Sequence, residues 1–402
     1  MLSAPLEHGA DPVVPWWKNP AAVSFPFAVP LYSFAFAYGL AANFYYDRNR
    51  PGVTAVFSLL ASVNIFLGIR SDGCRYDSRL FLLDNFLCWI CHLSRVLTNL
   101  AAVDPRSSAI VEATQKTRNT VCPDNMVQMI KNPKNHDWKT IDVSEGCTIE
   151  LFRPKDAKYP LPILLFFHGG GHCVGSAFDF FIMEYMKDYK DTLIVASVEY
   201  RLAPETPFPG AADDAIAALG YVHTHAVELG GTQDGICLGG MSAGGNLAAV
   251  ALHHAAEHGI GVQHAYLQVP VCHVNCSGGV HHSFAENGGI GALPCSIMVN
   301  WWNAYCPDPA RATDPRCSPI FVAEAVLKKI RCRVIVVTAS ADVLRDSGVM
   351  YAEKLQAAGV DVAHFMLRGS HSFGSMCDTK TMKEVKKEMK KVYGDRSKSK
   401  KE

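Results

Sequence analysis

A serine flanked by glycines two positions away on each side occupies residues 240–244, which read Gly-Met-Ser-Ala-Gly. This spacing is typical of a nucleophile elbow, a sharp strand-to-helix turn in which larger flanking side chains would collide with the backbone. Residues 235–239 predict a short buried strand before the turn, and the alanine-rich residues 243–258 predict a helix after it. The pattern therefore nominates Ser242 as a covalent nucleophile. The alternative is a Gly-Ser turn without chemistry.

A second glycine-rich segment, His-Gly-Gly-Gly at residues 168–171, follows the apolar run at residues 163–167 and is predicted to lie at the end of a buried strand. When a serine attacks an ester carbonyl, the oxygen becomes negative, and glycines let backbone N–H groups approach it without steric hindrance. The segment therefore predicts an oxyanion loop. A phosphate-binding loop is disfavoured because no Gly-Lys-Ser or Gly-Lys-Thr follows.

A serine hydroxyl is a weak nucleophile until a base takes its proton, and an acid must hold that base in the right tautomer. For a nucleophile elbow the expected chain order is serine, then aspartate or glutamate, then histidine. Asp342 follows the predicted strand at residues 334–338, and His371 follows the predicted strand at residues 360–367. We therefore predict Asp342 as the acid and His371 as the base. The alternative for Asp342 is the cap of a helix that begins near Asp346.

Two further motifs accompany these residues: Glu-Tyr-Arg-Leu-Ala-Pro-Glu at residues 199–205 and Pro-Phe-Pro at residues 207–209. With the elbow and the His-Gly-Gly-Gly segment, they resemble the hormone-sensitive-lipase-like branch of the α/β-hydrolases, which includes bacterial and fungal esterases and the arylacetamide deacetylases. The resemblance covers about residues 95 to 395. It implies an α/β-hydrolase fold and a cap insertion before the Ser-Pro-Ile at residues 318–320.

The resemblance also implies a role for each site residue. It assigns a catalytic triad to Ser242, Asp342 and His371. It assigns the oxyanion hole to the backbone amides of Gly170, Gly171 and Ala243. No metal or organic cofactor is expected for this chemistry.

Three residues need separate comment. Met241 stands where the family usually has an aspartate that supports the loop, so we expect an altered geometry there. His172 follows the glycines where the family favours an aromatic residue. We expect His172 to fill space, and the alternative is a hydrogen bond near the acyl pocket. Asp346 matches a family acid, but its place at a helix start favours capping over triad membership.

The residues between these motifs alternate between strand and helix patterns, which predicts a doubly wound, mostly parallel sheet. Between about residues 273 and 315 the pattern becomes irregular and includes Trp301 and Trp302 on a short predicted helix. We interpret this segment, together with residues 94–135, as the cap of a catalytic domain at residues 94–395. The tryptophans suit an apolar acyl or alcohol group, and the alternative is that they belong to an ordinary core.

The first 93 residues have the composition of a membrane anchor. Residues 19–43 and residues 52–69 contain no charged side chain, and arginines bracket the second run. We predict that residues 52–69 form a transmembrane helix and that residues 1–93 as a whole are a membrane anchor. The alternative is a hydrophobic cap that covers the pocket.

A final helix is predicted near the carboxyl end, where Met382, Val385, Met389 and Val392 share one face and lysines fill the other. We expect this helix to close the sheet. The tail at residues 396–402 is basic, and its Lys-Ser-Lys-Lys-Glu ending resembles a dilysine retrieval signal. Together with the predicted anchor, this ending favours the membrane of the endoplasmic reticulum. The alternative is a solvated tail.

The overall composition argues against several partners. The chain has 38 basic and 38 acidic side chains, so neither a nucleic acid nor an electrostatically steered substrate is indicated. The 14 cysteines form no regular framework, and most lie in apolar runs where cysteine packs as a small hydrophobe. The Cys-Trp-Ile-Cys-His at residues 88–92 matches a haem attachment pattern, which we attribute to coincidence within an apolar segment.

These observations predict a membrane-associated serine hydrolase that cleaves an apolar, uncharged carboxylic ester with a short or medium acyl group. An amidase, a deacetylase or an acyltransferase with the same triad is the enzymatic alternative. The non-enzymatic alternatives are a scaffold or a ligand-binding receptor, because the gibberellin receptor is similar to this family and has lost the catalytic histidine. The presence of His371 argues against a receptor. The oligomeric state is left open.

Overall fold

The computed structural model describes Arg118 and residues 124–131, 133–274, 281–287, 293, 295–371 and 378–393. The strands are β1 (His136–Ser144), β2 (Cys147–Pro154), β3 (Ile163–Phe167), β4 (Ile194–Glu199), β5 (Ile236–Met241), β6 (His264–Gln268), β7 (Arg333–Ala341) and β8 (Val362–Ser370). The helices are α1 (Asp124–Lys131), α2 (Phe180–Asp188), α3 (Gly210–His225), α4 (Ala243–His258), α5 (His282–Asn287), α6 (Cys295–Tyr305), α7 (Glu324–Leu327), α8 (Arg345–Ala357) and α9 (Thr379–Tyr393). Short 3₁₀ helices occupy Gln233–Gly235, Pro309–Arg311 and Pro319–Phe321.

The strands form one sheet in the order β1-β2-β4-β3-β5-β6-β7-β8. The pairs β1–β2 and β2–β4 are antiparallel, whereas every pair from β4 through β8 is parallel. The predicted doubly wound, mostly parallel sheet is therefore confirmed. The antiparallel hairpin of β1 and β2 was not predicted from the sequence.

The side chains of the central strands alternate between two apolar cores. Along β3, Leu165 and Phe167 face the core covered by α3, α4 and α8, whereas Leu164 and Phe166 face the core covered by α2 and α9. Every residue of β3 is buried. Because helices cover both faces, a central parallel strand needs a continuous apolar run, and residues 163–167 supply one.

The predicted elements around the elbow and at the carboxyl end are present. Helix α4 begins directly after Ser242 and ends at His258, as the alanine-rich pattern predicted. Helix α9 buries Val385 and Met389 against the second core, so it covers the sheet in the way its apolar face predicted.

Several sequence predictions fall on residues that the structure does not describe. The predicted transmembrane helix at residues 52–69, the rest of the anchor at residues 1–93 and the tail at residues 396–402 all lie outside the described residues. Among the helices of the described residues, none is long and apolar enough to cross a membrane.

Two glycines show why the elbow needs this residue type. A Cβ atom on Gly240 would lie 2.1 Å from the carbonyl oxygen of Gly244, and a Cβ atom on Gly244 would lie 1.9 Å from the carbonyl oxygen of Phe167. Both distances are far below contact distance, and both obstacles are backbone atoms. Helix α4 therefore lies directly against the end of β3, which brings the elbow next to the loop that follows β3.

We expect Gly244→Ala to lower the melting temperature by about 10 °C or to abolish folding, because the new methyl group overlaps backbone atoms that cannot move independently. The matched control is Gly220→Ala within α3. There a Cβ atom would meet no atom within 4 Å, so we expect an unchanged or slightly raised melting temperature. Thermal unfolding of both variants measures the difference, and equal melting temperatures would contradict the proposed contact.

Candidate active site

Ser242 occupies a strained turn between β5 and α4. Its backbone angles are φ 56° and ψ −118°, in a region that L-residues rarely adopt. The Ser242 N–H donates to the carbonyl of Gln268 at 2.9 Å, and the Ser242 carbonyl accepts from Val271 N–H at 3.1 Å. Between these two partners, Val269 also has a positive φ, 41°. The strained backbone is therefore held by hydrogen bonds to the segment after β6.

The structure brings the three predicted triad side chains together. His371 Nε2 lies 2.9 Å from Ser242 Oγ, and His371 Nδ1 lies 2.7 Å from Asp342 Oδ2. All three residues are buried. With the Nδ1 proton donated to the carboxylate, Nε2 is free to accept the serine proton. The imidazole thus stands between the hydroxyl and the carboxylate, within hydrogen-bond reach of both.

Each triad residue follows the end of a parallel strand. Ser242 comes directly after β5, Asp342 directly after β7 and His371 directly after β8. Because the carboxyl ends of parallel strands meet at one edge of the sheet, residues far apart in the chain converge there. The sequence prediction of strand-terminal loops for Asp342 and His371 therefore placed both residues correctly.

Asp342 is held by more than its contact with the histidine. Its Oδ1 accepts from Leu344 N–H at 3.0 Å, and its backbone carbonyl accepts from the Asn287 side chain at 3.1 Å. The carboxylate thus stabilises the turn before α8 with one oxygen and orients His371 with the other. Asp342 is not the cap of α8, which was the alternative considered from the sequence, because the N-cap residue of that helix is Leu344.

The capping interpretation of Asp346 is wrong. The N-cap residue of α8 is Leu344, and the Asp346 N–H in the first turn donates to the Ser283 hydroxyl at 3.2 Å. The Asp346 carboxylate instead accepts from Ser283 N–H at 2.7 Å and from Arg345 Nε at 2.9 Å. Asp346 therefore connects α5 to α8, because its position in the first turn points it toward a neighbouring element rather than toward its own helix start.

The glycine loop, residues 168–171 after β3, passes beside Ser242. A Cβ atom on Gly169 would lie 3.5 Å from Ser242 Cβ. Gly170 and Gly171 have φ values of 116° and 62°, and the Gly170 carbonyl accepts from the N–H groups of Cys173 and Val174. Neither glycine could carry a side chain in this conformation without strain. The loop therefore forms a tight turn that only glycines permit.

The predicted oxyanion donors, the backbone amides of Gly170, Gly171 and Ala243, lie in the loop after β3 and at the first residue of α4. Within the described part of the chain, none of them donates to a backbone carbonyl. Ala243 is the first residue of α4, where a helix leaves its N–H groups unpaired and carries positive partial charge. The amides are thus available to a negative oxygen near Ser242.

The neutral imidazole of His168 holds the start of the glycine loop in place. Its Nδ1 lies 2.7 Å from the Gly169 carbonyl, and its ring stacks on Tyr200 at 4.2 Å. The Tyr200 hydroxyl donates to the His168 carbonyl at 2.8 Å. Burial lowers the pKa of His168 to about 4, so the ring is neutral at pH 7. The ring therefore stabilises the loop by hydrogen bonding and stacking.

The imidazole of His172 occupies the position where the family favours an aromatic side chain. It stacks on Tyr305 with ring centroids 3.7 Å apart, and burial lowers its pKa to about 3. Neither of its ring nitrogens has a hydrogen-bond partner among the described residues. The stacked, neutral imidazole supports the space-filling interpretation over hydrogen bonding.

Met241 packs against the loop that an aspartate would otherwise support. A Cβ atom on Gly169 would lie 3.1 Å from Met241 Cε. The thioether group therefore reaches the underside of the glycine loop and supports it by van der Waals contact.

The two cap tryptophans have different surroundings. Trp302 is buried and stacks on Phe284 at 5.6 Å, so it belongs to the apolar core on that face of the sheet. Trp301 lies over the glycine loop, since a Cβ atom on Gly171 would fall 2.1 Å from its ring. The core interpretation is confirmed for Trp302, whereas Trp301 is partly buried and lies beside the glycine loop, so its role toward an apolar substrate stays a prediction.

Sequence reasoning missed Arg118. Its Nε donates to the Cys173 carbonyl at 2.8 Å, its Nη2 donates to the Ala203 carbonyl at 2.8 Å, and both Nη atoms contact the Glu205 carboxylate. One side chain thus joins the loop after the glycines to the segment after β4. No local pattern marks this arginine.

We expect Arg118→Lys to reduce kcat/KM for ester substrates about 10-fold, because an ammonium group cannot reproduce the bidentate contact and both carbonyl bonds at once. The matched control is Arg333→Lys. Arg333 also bonds a carboxylate, because its Nη1 donates to both oxygens of Asp361, but it does so at the amino ends of β7 and β8, away from the triad. Its substitution should leave kcat/KM unchanged. Equal kinetics for the two variants would contradict a positioning role for Arg118.

The geometry defines the class of protein. A mostly parallel sheet with an elbow serine after β5, an aspartate after β7 and a histidine after β8 is the arrangement of an α/β-hydrolase of the esterase type. The family model described as alpha/beta hydrolase fold matches residues 164–374, and the chain belongs to this family. The resemblance stated from the motifs is therefore confirmed.

Similar proteins of known sequence and structure agree with this assignment. An AB hydrolase superfamily protein of Schizosaccharomyces pombe is 34% identical over 226 residues, which cover 54% of this chain and 64% of that protein. An ethyl acetate hydrolase of Pseudomonas putida is 31% identical over 244 residues, covering 57% of this chain and 71% of that protein. A solved structure of a hyperthermophilic esterase from Pyrobaculum calidifontis has a TM-score of 0.61 and 27% identity, covering 74% of this chain and 97% of that one.

Proposed function

We propose that this protein is a serine hydrolase that cleaves a carboxylic ester through an acyl-serine intermediate. The observation that carries the proposal is the hydrogen-bonded series Ser242–His371–Asp342 at the edge of the sheet. His371 Nε2 takes the proton of Ser242 Oγ as that oxygen attacks the ester carbonyl. The tetrahedral intermediate then expels the alcohol, to which His371 returns the proton. A water molecule, activated by His371 in the same way, releases the acid and restores the serine.

The oxyanion of each tetrahedral intermediate is assigned to the amides of Gly170, Gly171 and Ala243. The glycine loop passes beside Ser242 and α4 begins directly after it, and these N–H groups have no competing backbone acceptor within the described residues. Fixed amides stabilise developing charge without reorganisation during the reaction. Asp342 stabilises the imidazolium that forms on His371 and keeps its ring in the productive orientation.

We infer that the substrate is an uncharged ester with a short or medium acyl group. The surfaces described next to the oxyanion loop are apolar: the ring of Trp301 lies against Gly171, and the thioether of Met241 lies against Gly169. A bulky ring at this position limits the length of the acyl group that fits beside the serine. The Pseudomonas putida relative, named an ethyl acetate hydrolase, supports a short acyl group.

The position of His371 favours an enzyme over a receptor on the same fold. A binding protein has no need of an imidazole 2.9 Å from a buried serine hydroxyl. Amidase and acyltransferase activities use the same triad, and they differ in the leaving group or in the final acceptor. Product analysis therefore separates these activities from ester hydrolysis.

The proposal is tested by covalent labelling and by a substrate series. A fluorophosphonate probe should label wild-type protein at Ser242 and should not label Ser242→Ala. Hydrolysis of p-nitrophenyl esters from acetate to palmitate should be fastest for short and medium chains, with free acid and p-nitrophenol in equal amounts. Absence of labelling in folded wild-type protein would support a receptor or scaffold instead. A transferred acyl group in place of free acid would indicate an acyltransferase.

We also propose that residues 1–93 attach the protein to a membrane, with the endoplasmic reticulum as the expected compartment. The support is compositional: residues 19–43 and 52–69 lack charged side chains, and the tail at residues 396–402 is rich in lysine. The test is fractionation of the full-length chain from cells. An anchored protein stays in the membrane pellet after extraction with alkaline carbonate and enters solution with detergent. Release by carbonate alone would contradict a membrane-spanning anchor.

A further inference from the structure

Helix α5 lies against the turn that carries the triad acid. Asn287 Nδ2 donates to the Asp342 carbonyl at 3.1 Å, and Ser283 Oγ donates to the Val343 carbonyl at 3.0 Å. Ser283 and Asn287 are four positions apart, so their side chains lie on the same face of the helix. Two consecutive carbonyls of the turn are therefore held from one face of a helix that precedes Asp342 by 55 positions in the chain.

Further hydrogen bonds join the same two elements. The Ser283 N–H donates to Asp346 Oδ2 at 2.7 Å, and the Asp346 N–H donates back to Ser283 Oγ at 3.2 Å. Within the turn itself, the Asp342 carbonyl also accepts from Arg345 N–H at 3.2 Å, and Asp342 Oδ1 accepts from Leu344 N–H at 3.0 Å. The bonds within the turn determine its shape, and the bonds from α5 determine its place in the molecule.

These contacts are shielded from water. Ser283 is fully buried, and Asn287 and Asp342 are 7% and 2% exposed. Water therefore cannot readily replace a donor that is lost from α5. The acceptor left behind must either move toward another donor or stay unpaired, and both outcomes disturb a buried turn.

Helix α5 is itself fixed at its start. His281 directly precedes the helix and is buried, and its Nε2 lies 2.9 Å from Nδ1 of His273. The Phe284 N–H donates to the His281 carbonyl at 3.2 Å, which joins this histidine to the first turn of the helix. Because His273 follows β6 and Asp342 follows β7, α5 connects the segments after two neighbouring parallel strands.

We propose that Asn287, supported by Ser283, is a positioning residue of the triad, because it fixes the backbone of Asp342 and thereby aligns Oδ2 with His371 Nδ1. This inference rests on the proposed ester hydrolysis. The two atoms are 2.7 Å apart, and a small displacement of the turn would weaken the bond that stabilises the imidazolium. Because Asn287 acts through the acid and not on the substrate, its loss should lower kcat and leave KM nearly unchanged.

The variant Asn287→Leu tests the proposal, because it keeps a branched side chain of similar size and removes the N–H donor. We expect kcat for p-nitrophenyl acetate to fall about 20-fold, with KM changed by less than about twofold. The matched control is Glu286→Gln on the same helix. It removes the charge that pairs with Arg345 at 2.8 Å on the exposed side, where ion pairs contribute little, so kcat should change less than about twofold.

A double-mutant cycle separates positioning of the acid from general damage to the fold. If Asn287 acts through the carboxylate, Asn287→Leu should cost less than about twofold in kcat when it is added to Asp342→Asn. A loss of about 20-fold in both backgrounds would overturn the proposal, and so would an unchanged kcat in the folded single variant. If Asn287→Leu does not fold, Ser283→Ala takes its place in the same cycle, with an expected loss of about fivefold.

The wild-type protein shows which of the two proposals has failed. If a fluorophosphonate probe labels Ser242 and the ester is hydrolysed, but Asn287→Leu keeps the wild-type kcat, then only the positioning role is overturned. If folded wild-type protein shows neither labelling nor hydrolysis, the proposed reaction is overturned, and the positioning role with it.

Discussion

Substitution of Ser242 by alanine is expected to lower kcat for ester hydrolysis by about 100,000-fold. In the proposed mechanism the hydroxyl oxygen forms the acyl-enzyme, and neither His371 nor the proposed oxyanion amides could replace it. Any remaining rate would come from water held near the loop. Alanine tolerates the positive φ of this position about as poorly as serine does, so folding should be preserved. The kinetics of p-nitrophenyl acetate hydrolysis and the melting temperature, measured together, test this expectation.

The matched control for this variant is Ser197→Ala. Ser197 is another buried serine, on β4, and its hydroxyl has no hydrogen-bond partner among the described residues. Its removal should change kcat less than twofold. A Ser242→Ala protein that is folded and keeps more than a hundredth of wild-type kcat would exclude the acyl-serine mechanism. An equal loss of kcat in Ser197→Ala would show that replacing a buried serine impairs the fold, so the loss in Ser242→Ala would not be specific to catalysis.

Asp342→Asn should lower kcat about 10,000-fold while the protein remains folded. The asparagine amide has nearly the shape of the carboxylate, but its NH₂ group can donate to His371 Nδ1. The ring would then hold its proton on Nε2, where it faces the Ser242 hydroxyl and cannot accept the serine proton. The loss should appear in kcat, with KM changed little. Steady-state kinetics and the rate of fluorophosphonate labelling should fall together.

Asp346→Asn distinguishes the triad acid from its neighbour. Asp346 contacts Ser283 and Arg345, whereas the two ring nitrogens of His371 contact Asp342 and Ser242. Its substitution should weaken the connection between α5 and α8 and lower the melting temperature, with less than about a tenfold change in kcat. A larger catalytic loss in Asp346→Asn than in Asp342→Asn would assign the acid to Asp346.

The sequence predicted the elbow turn and the glycine loop beside it well, because each of them depends on a local sequence pattern. Strand β3 is a continuous apolar run with glycines after it, and α4 is an alanine-rich segment that starts at the elbow. Glycine positions were also informative, because Gly240 and Gly244 are each excluded from carrying a side chain by a backbone atom. In such places a short sequence pattern marks the residue type, although the obstacle at Gly244, the Phe167 carbonyl oxygen, lies on β3.

Features that depend on distant segments were not predictable in this way. Strand β1 reads as a polar edge segment, and its register follows from partners on β2, where Trp138 and Thr140 donate to Glu150. Arg118 contacts Glu205 across 87 positions of the chain. The wrong capping assignment of Asp346 has the same origin, since its partner Ser283 belongs to another element. Each of these contacts forms only when separate elements meet.

The hydrogen bonds around Ser242 have a consequence for how the enzyme can be monitored. The unusual backbone at Ser242 and Val269 is maintained by bonds that require β5, β6 and β7 to be aligned, since the Val269 N–H donates to the Val337 carbonyl. When the sheet is only partly assembled, Ser242 is therefore not held in the backbone conformation that the proposed mechanism requires. Catalytic activity therefore reports only on fully folded molecules. During refolding, its recovery should coincide with the last structural change rather than with the first appearance of helix.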